Sequence, residues 1–272
     1  MAGDRRRRGA PRRRRRRAAP AAPRAPGVIE LAARDGVARL TLCRPEALNA
    51  LDRALTGALE QALERVAAMD DVTVLVVAGR GRAFCAGNDL KEMAALAPEE
   101  AEALAGRQAA LMARFAALPQ VTIAAIDGAA LGGGLMLALA QDLRVASDRA
   151  RLGLPEVTLG FTPAYGIARL LDVVGGGHAR DLLLTGRTLH ASEALRMGLV
   201  NRVVAPPTLE ASVAALAADV ARAPRGGLAA AKAAVAAIRA GTPGREAQAF
   251  AAALGTSPAA RERIAAFARR RG

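Results

Sequence analysis

One pattern constrains this chain more than any other: a short apolar run, a glycine-rich turn and a helix, followed by the same series again. The run 72–78 leads into Gly79-Arg-Gly-Arg-Ala-Phe-Cys-Ala-Gly-Asn-Asp-Leu90, with a helix opening near Leu90. The run 121–126 leads to Gly132-Gly133-Gly134, a helix over 135–140 and a further strand over 143–146. Apolar runs of this length suit strands buried on both faces, and strands that alternate with helices pack as a helix-covered parallel sheet. An α/β fold is therefore expected.

The flanking segments extend it. Two β-type runs, 28–33 and 37–42, surround Arg34-Asp35-Gly36, whose Asp-Gly pair is a hairpin signal. A helix is predicted over 52–68, with Asp52 as N-cap and Leu55, Leu59, Leu63 and Val66 on one face. Another is predicted over 101–118, stopped by Pro119. Beyond Pro206-Pro207 strand patterns cease, and helices are expected over 209–222, 227–240, 245–254 and 258–271. The chain thus divides into an arm (1–26), an α/β core (27–205) and a helical region (206–272) that packs on the core or on a neighbouring subunit.

Charge separates the arm from the rest. The formal charge is +14, but residues 1–26 hold eleven arginines and one acid, a net of +10, leaving +4 for the other 246 positions. An arm so rich in arginine and proline repels itself and buries nothing, so it is expected to be disordered. It could bind RNA, DNA or acidic lipid, or be a dispensable start. It lacks the aromatic residues that stack on bases, which disfavours nucleic-acid binding as the main function.

Cys43 and Cys85 lie far apart without a C-x-x-C pair, and His178 and His190 are not spaced as ligands, so neither a disulfide framework nor a metal site is expected. No run approaches the ~20 apolar residues of a membrane span, and the segment after the arginines does not make a signal h-region. A reducing, cytoplasmic setting is the expectation.

Three segments are candidates for chemistry. The loops 79–90 and 128–134 both enter helices from glycines, presenting free backbone N–H groups at a helix start, an arrangement that stabilises an anion. No dinucleotide fingerprint with a downstream acid accompanies them. The third, Leu154-Pro-Glu-Val-Thr-Leu-Gly160, sets Glu156 among apolar residues, where desolvation should raise its pKa and suit it to proton transfer.

These segments fall within an ordered series: Arg44-Pro-Glu-Ala-Leu-Asn-Ala-Leu51, Ala83-Phe-Cys-Ala-Gly-Asn-Asp-Leu90, Gly128-Ala-Ala-Leu-Gly-Gly-Gly134, Pro155-Glu156 with Gly160, and Leu184-Thr-Gly-Arg187 with Glu193-Ala194 and Gly198-Leu-Val200. The series resembles the crotonase, or enoyl-CoA hydratase/isomerase, superfamily over about residues 27–270. The resemblance implies a spiral of repeated ββα units, a helical C-terminal region that builds homotrimers or dimers of trimers, and an acyl-CoA thioester substrate. Coenzyme A then enters with the substrate, and no further cofactor is implied.

By motif position the resemblance places the two backbone N–H groups of an oxyanion hole at Asn88 and Gly133. Asn88 stands where alanine is frequent, a change that a backbone donor tolerates. Family hydratases usually carry two glutamates; here the first position is Met136 and the second is kept as Glu156. Hydration is helped by two carboxylates, whereas moving a double bond from the 3,4 to the 2,3 position needs one base, so Glu156 with an apolar Met136 resembles the isomerase branch. A one-carboxylate 2-enoyl-CoA hydratase is the alternative.

Asp89 and Asp142 are read as structural, and Glu92 as part of a solvated face. The segment after Glu156 is one residue shorter than the common proline–glycine–alanine–glycine–glycine form and holds the chain's one tyrosine, Tyr165, as a pocket wall, a hydroxyl donor or packing. Met93, Leu96 and Met112 are pocket candidates at helical spacing. Ala266-Phe-Ala-Arg-Arg270 resembles the family's C-terminal pattern, implying that Phe267 and Arg270 approach the adenine and phosphates of coenzyme A.

Overall fold

The structure, a computed structural model, describes residues 27–239, Gly241, Gly244, 247–248, 250–251, Gly255 and 258–269. The arginine arm, most of the helix expected over 245–254, and Arg270 lie outside the described residues.

The chain opens with a hairpin, β1 (Ile29–Arg34) and β2 (Val37–Leu42), turned by Asp35 and Gly36 at φ of 52° and 77°. Helix α1 (Arg53–Ala67) follows, capped by Asp52, whose carboxylate accepts the Leu55 N–H at 2.7 Å. Its expected face of Leu55, Leu59, Leu63 and Val66 is buried. Then come three strand pairs: β3 (Val74–Gly79) and β4 (Ala83–Cys85), β5 (Val121–Ile126) and β6 (Ala129–Leu131), β7 (Leu143–Ser147) and β8 (Arg151–Gly153). Helices α2 (Leu90–Met93) and α3 (Pro98–Ala117) follow the first pair, α4 (Gly133–Ala140) the second and α5 (Ile167–Thr185) the third.

Each pair divides between two sheets. The first strands join a six-stranded sheet in the order β1-β2-β3-β5-β7-β10, where β10 is Arg202–Val204, and the second strands join a smaller sheet, β4-β6-β8-β9, where β9 is Thr188–His190. The chain therefore winds as a spiral of ββα turns, its first strands packed in parallel from β2 to β10. Helix α6 (Ala191–Arg196) precedes β10, and beyond it only helices follow among the described residues: α7 (Leu209–Ala221), α8 (Arg225–Arg239) and a last helix, Pro258–Arg269, besides a short 3-10 turn at Pro206–Thr208. Among the described residues no helix is long and apolar enough to cross a membrane.

Helix α8 is tied to the core by one ammonium group. Lys232 Nζ donates to the carbonyls of Phe115 and Gln120 at 2.9 and 2.8 Å and pairs with Asp142 at 2.8 Å. Asp142 in turn accepts the Thr122 N–H and hydroxyl at 2.7 and 3.0 Å, which is the structural role expected for it. All three donors of the ammonium are matched, and its side chain is 10% exposed. Lys232→Ala, which leaves Asp142 unneutralised, is expected to destabilise the fold by about 3–5 kcal/mol in urea denaturation; a loss under ~1 kcal/mol, the range of an exposed pair, would show that the contact is solvated.

Candidate active site

The smaller sheet builds the site. Strands β4, β6 and β8 run parallel, so their carboxyl ends lie along one edge, where ligands of open α/β sheets bind. Each end releases one candidate residue: Asn88 three residues after Cys85, Gly133 two after Leu131, and Glu156 three after Gly153. The three sequence-predicted centres thus meet in one pocket, together with Met136, Tyr165 and Met93.

The segment carrying Asn88 is held from behind by the first motif. Leu51 N–H donates to the Gly87 carbonyl at 2.8 Å, and Asp89 N–H to the Leu51 carbonyl at 3.0 Å. In extended backbone successive N–H groups alternate in direction, so the Asn88 N–H points away from this bridge. Arg44 pairs with Asp52 at 2.9 Å and Asp89 at 3.2 Å, which joins the N-caps of α1 and α2. Burial alone would raise the Asp89 pKa, but Arg44 and the N–H groups of Glu92 and Lys91 outweigh it and hold it below the usual range. Asp89 is structural, as expected, and Glu92 accepts the Arg53 N–H at 3.0 Å and does not line the pocket. Asn49, fully buried, accepts from Arg44 N–H at 2.9 Å and donates to the carbonyls of Arg80 and Ala83 at 3.0 and 2.8 Å.

Gly132 and Gly133 form the opposing wall and Gly134 packs behind it on β4, each glycine required for its own reason. Gly132 has φ 53°, ψ −127°, and a Cβ there would stand 2.8 Å from Glu156 Oε1. A Cβ on Gly133 would stand 2.3 Å from Asn88 Oδ1 and 2.7 Å from the Tyr165 hydroxyl oxygen; one on Gly134 would stand 2.0 Å from the Cys85 carbonyl oxygen. Gly133 is also the first residue of α4, where an N–H has no intrahelical acceptor and the helix dipole is positive.

Glu156 lies on a 3-10 turn, Pro155–Leu159, and is 7% exposed. Its Oε2 is buried without a hydrogen-bond partner among the described residues, and burial raises its pKa, offset in part by its own backbone N–H. It is the one carboxyl group among the described residues that line the pocket; around it stand Leu90, Met93, Met136, Leu159 and Phe161. Burial also pushes Cys85 up to about 12, which keeps this neighbouring thiol protonated and not nucleophilic.

Two pocket candidates fall elsewhere. Met112 is 2% exposed and packs in the core with residues such as Leu111 and Phe115, because its helix turns that face towards α1 and α4 rather than the pocket. Leu96 does not line the pocket either. Phe267 is on the last helix, but its side chain, like Arg270, is outside the described residues. The sequence reading missed Gln108 and Thr56, which extend a hydrogen-bonded chain from Asn88: Asn88 Nδ2 donates to Gln108 Oε1 at 3.0 Å, and Gln108 Nε2 to Thr56 Oγ1 at 3.5 Å.

Backbone donors at a helix start facing a desolvated carboxyl, on the carboxyl edge of parallel strands, form the architecture of an enzyme that can stabilise an anion and move a proton. Residues 32–271 match the enoyl-CoA hydratase/isomerase family, and the chain belongs to that family of enzymes acting on acyl-CoA thioesters. YngF of Bacillus subtilis (strain 168) is 43% identical over 192 residues, 67% of this chain and 73% of that protein. A short-chain-enoyl-CoA hydratase of Clostridium acetobutylicum is 39% identical over 180 residues, 64% of this chain and 67% of that protein. A crystal structure of an enoyl-CoA hydratase from Mycobacterium smegmatis superposes with a TM-score of 0.84 at 33% identity, covering 90% of this chain and 97% of the other.

Proposed function

We propose that this enzyme converts 3-enoyl-CoA to 2-enoyl-CoA, with Glu156 as its acid/base. The observation that carries the reading is that Glu156 is the one carboxyl group among the pocket-lining described residues, with Met136 on the apolar wall. The thioester oxygen accepts hydrogen bonds from the Asn88 and Gly133 N–H groups, which form the oxyanion hole. Ionised Glu156 takes a proton from C2, and the electron pair spreads through the dienolate onto that oxygen. The protonated carboxyl then returns the proton to C4, leaving the double bond between C2 and C3, so that no atom is gained or lost. A raised pKa suits both halves: the group is basic enough to abstract and acidic enough to give back. The apolar wall keeps water from the dienolate.

Hydration of 2-enoyl-CoA is the second reading, favoured by the names of relatives such as the Clostridium acetobutylicum short-chain-enoyl-CoA hydratase. Offering purified enzyme 3-hexenoyl-CoA and crotonyl-CoA in parallel, with product identification, separates the two. The isomerase reading expects conversion of the first with little hydration of the second; rapid hydration of crotonyl-CoA reverses the assignment. Assembly into trimers or dimers of trimers belongs to the same proposal, supported by α8, which leaves Val235 and Ile238 60% and 47% exposed.

A further inference from the structure

Asn88 contributes more than a backbone donor. Its side-chain amide is engaged at both ends: Oδ1 accepts the Tyr165 hydroxyl at 3.0 Å, while Nδ2 donates to Gln108. Gln108 and Thr56 are both fully buried, so this end of the relay is rooted in α3 and α1. The Tyr165 end comes from a different loop, the one that follows the Glu156 turn, and Tyr165 is itself buried. The two oxygens that meet there, Asn88 Oδ1 and Tyr165 Oη, are also the atoms nearest to the site where Gly133 lacks a Cβ. The hydrogen-bonded pair therefore joins the Asn88 segment to the loop that follows Glu156 and lies against Gly133.

From this geometry we infer that the Tyr165–Asn88 pair is a clamp that sets the separation and direction of the Asn88 and Gly133 N–H groups, making Tyr165 a positioning residue. The inference rests on the proposed thioester site and extends it to a side-chain pair that a frequent alanine at position 88 could not form. A donor pair serves a developing oxyanion only if both N–H groups converge on one point, and a displacement near 1 Å is enough to lose much of the effect. Burial raises the Tyr165 pKa further above its usual value, with Cys85 and Glu156 adding to the shift, so the hydroxyl keeps its proton and stays a donor across the working pH range.

The test uses 2,4-hexadienoyl-CoA, a chromophoric thioester whose absorption moves to longer wavelength when its carbonyl oxygen is polarised. Wild type is expected to bind it with a red shift. Tyr165→Phe keeps the ring and the fold, with an unchanged thermal melt, but is expected to lose at least half of that shift and about tenfold in kcat, with KM within about twofold. Asn88→Ala keeps the backbone donor and should show the same loss, and the double variant should be no worse than the poorer single, as for two halves of one contact. A full wild-type shift in Tyr165→Phe, or additive losses in the double variant, overturns the clamp alone. Binding to wild type with no shift overturns the thioester-oxygen reading and the clamp with it, whereas a wild-type shift lost in Tyr165→Phe supports the clamp even if Glu156 proves not to be the base.

Discussion

Glu156→Gln is expected to lower turnover of the accepted enoyl-CoA by about 10²–10⁴-fold, with substrate affinity changed by no more than a factor of a few. The amide has the shape of the carboxyl group but cannot take the C2 proton, and the backbone donors proposed for the thioester oxygen are untouched. The same variant should be more stable than wild type at neutral pH. In wild type an ionised carboxyl, its Oε2 unpartnered among the described residues, sits in a buried position with its pKa raised. Between the ordinary value of 4.5 and that raised value the native state holds more protons than the unfolded state, so stability falls as pH rises through this window. The advantage of the Gln variant should therefore be present at neutral pH and shrink as the solution is acidified through the window. Activity follows the opposite course, because the base must be ionised: kcat/KM should fall on the acid side at a pH above that of an ordinary glutamate. Thermal melts across pH, set beside the pH–rate profile, check both halves. A loss in kcat smaller than tenfold would remove Glu156 from the role.

Five strands of the larger sheet were legible in the sequence because each runs for five or six residues, whereas its sixth, β10, has three and left no pattern. The run expected at 121–126 is β5, and Asp52 with Leu55, Leu59, Leu63 and Val66 gave α1 its cap and its buried face. The smaller sheet was not legible. Strands β4, β6, β8 and β9 have three residues each, too few to show a period of two, and their pairing is long-range. Helix α5 was hidden for a different reason: Gly175-Gly-Gly177 lies inside it, with Gly175 at φ 73°, so its pattern reads as a break.

The site divides in the same way. The glycine pattern marked the loops 79–90 and 128–134, the apolar setting marked Glu156, and the family resemblance singled out Asn88 and Gly133 within the loops, but only the parallel ends of β4, β6 and β8 bring them together. Met112 went astray because helical spacing tells which face is buried and not what covers it. Gln108 carried a usable signal: it falls in the buried stripe of α3, between Leu104 and Leu111, where a polar residue must find a partner. That partner, Asn88, is 20 positions away in the chain, beyond the reach of any local pattern.

Gly133→Ala is expected to separate folding from catalysis at a single methyl group. Gly133 has no positive φ and begins a helix, so alanine suits its backbone and adds helix propensity, roughly 1 kcal/mol in an ordinary setting. The obstacles to its Cβ are Asn88 Oδ1 at 2.3 Å and the Tyr165 hydroxyl at 2.7 Å, the tips of two side chains that can turn away, as backbone cannot. At Gly134 the obstacle is the Cys85 carbonyl oxygen at 2.0 Å, part of the strand β4 itself, so Gly134→Ala should fail to fold or melt far below wild type. Gly133→Ala should instead remain folded, with a melt near that of wild type. Displacing Asn88 and Tyr165 would break their hydrogen bond and misalign the two proposed donor N–H groups, and kcat should fall by at least the roughly tenfold expected of Tyr165→Phe and by up to about 10²-fold, the cost of a misplacement near 1 Å. Purification of both variants, with thermal melts and turnover measured side by side, gives the comparison. Full activity in Gly133→Ala would show that the space beside Asn88 is not needed for catalysis, and an unfolded Gly133→Ala would show that Asn88 and Tyr165 are held too firmly to yield.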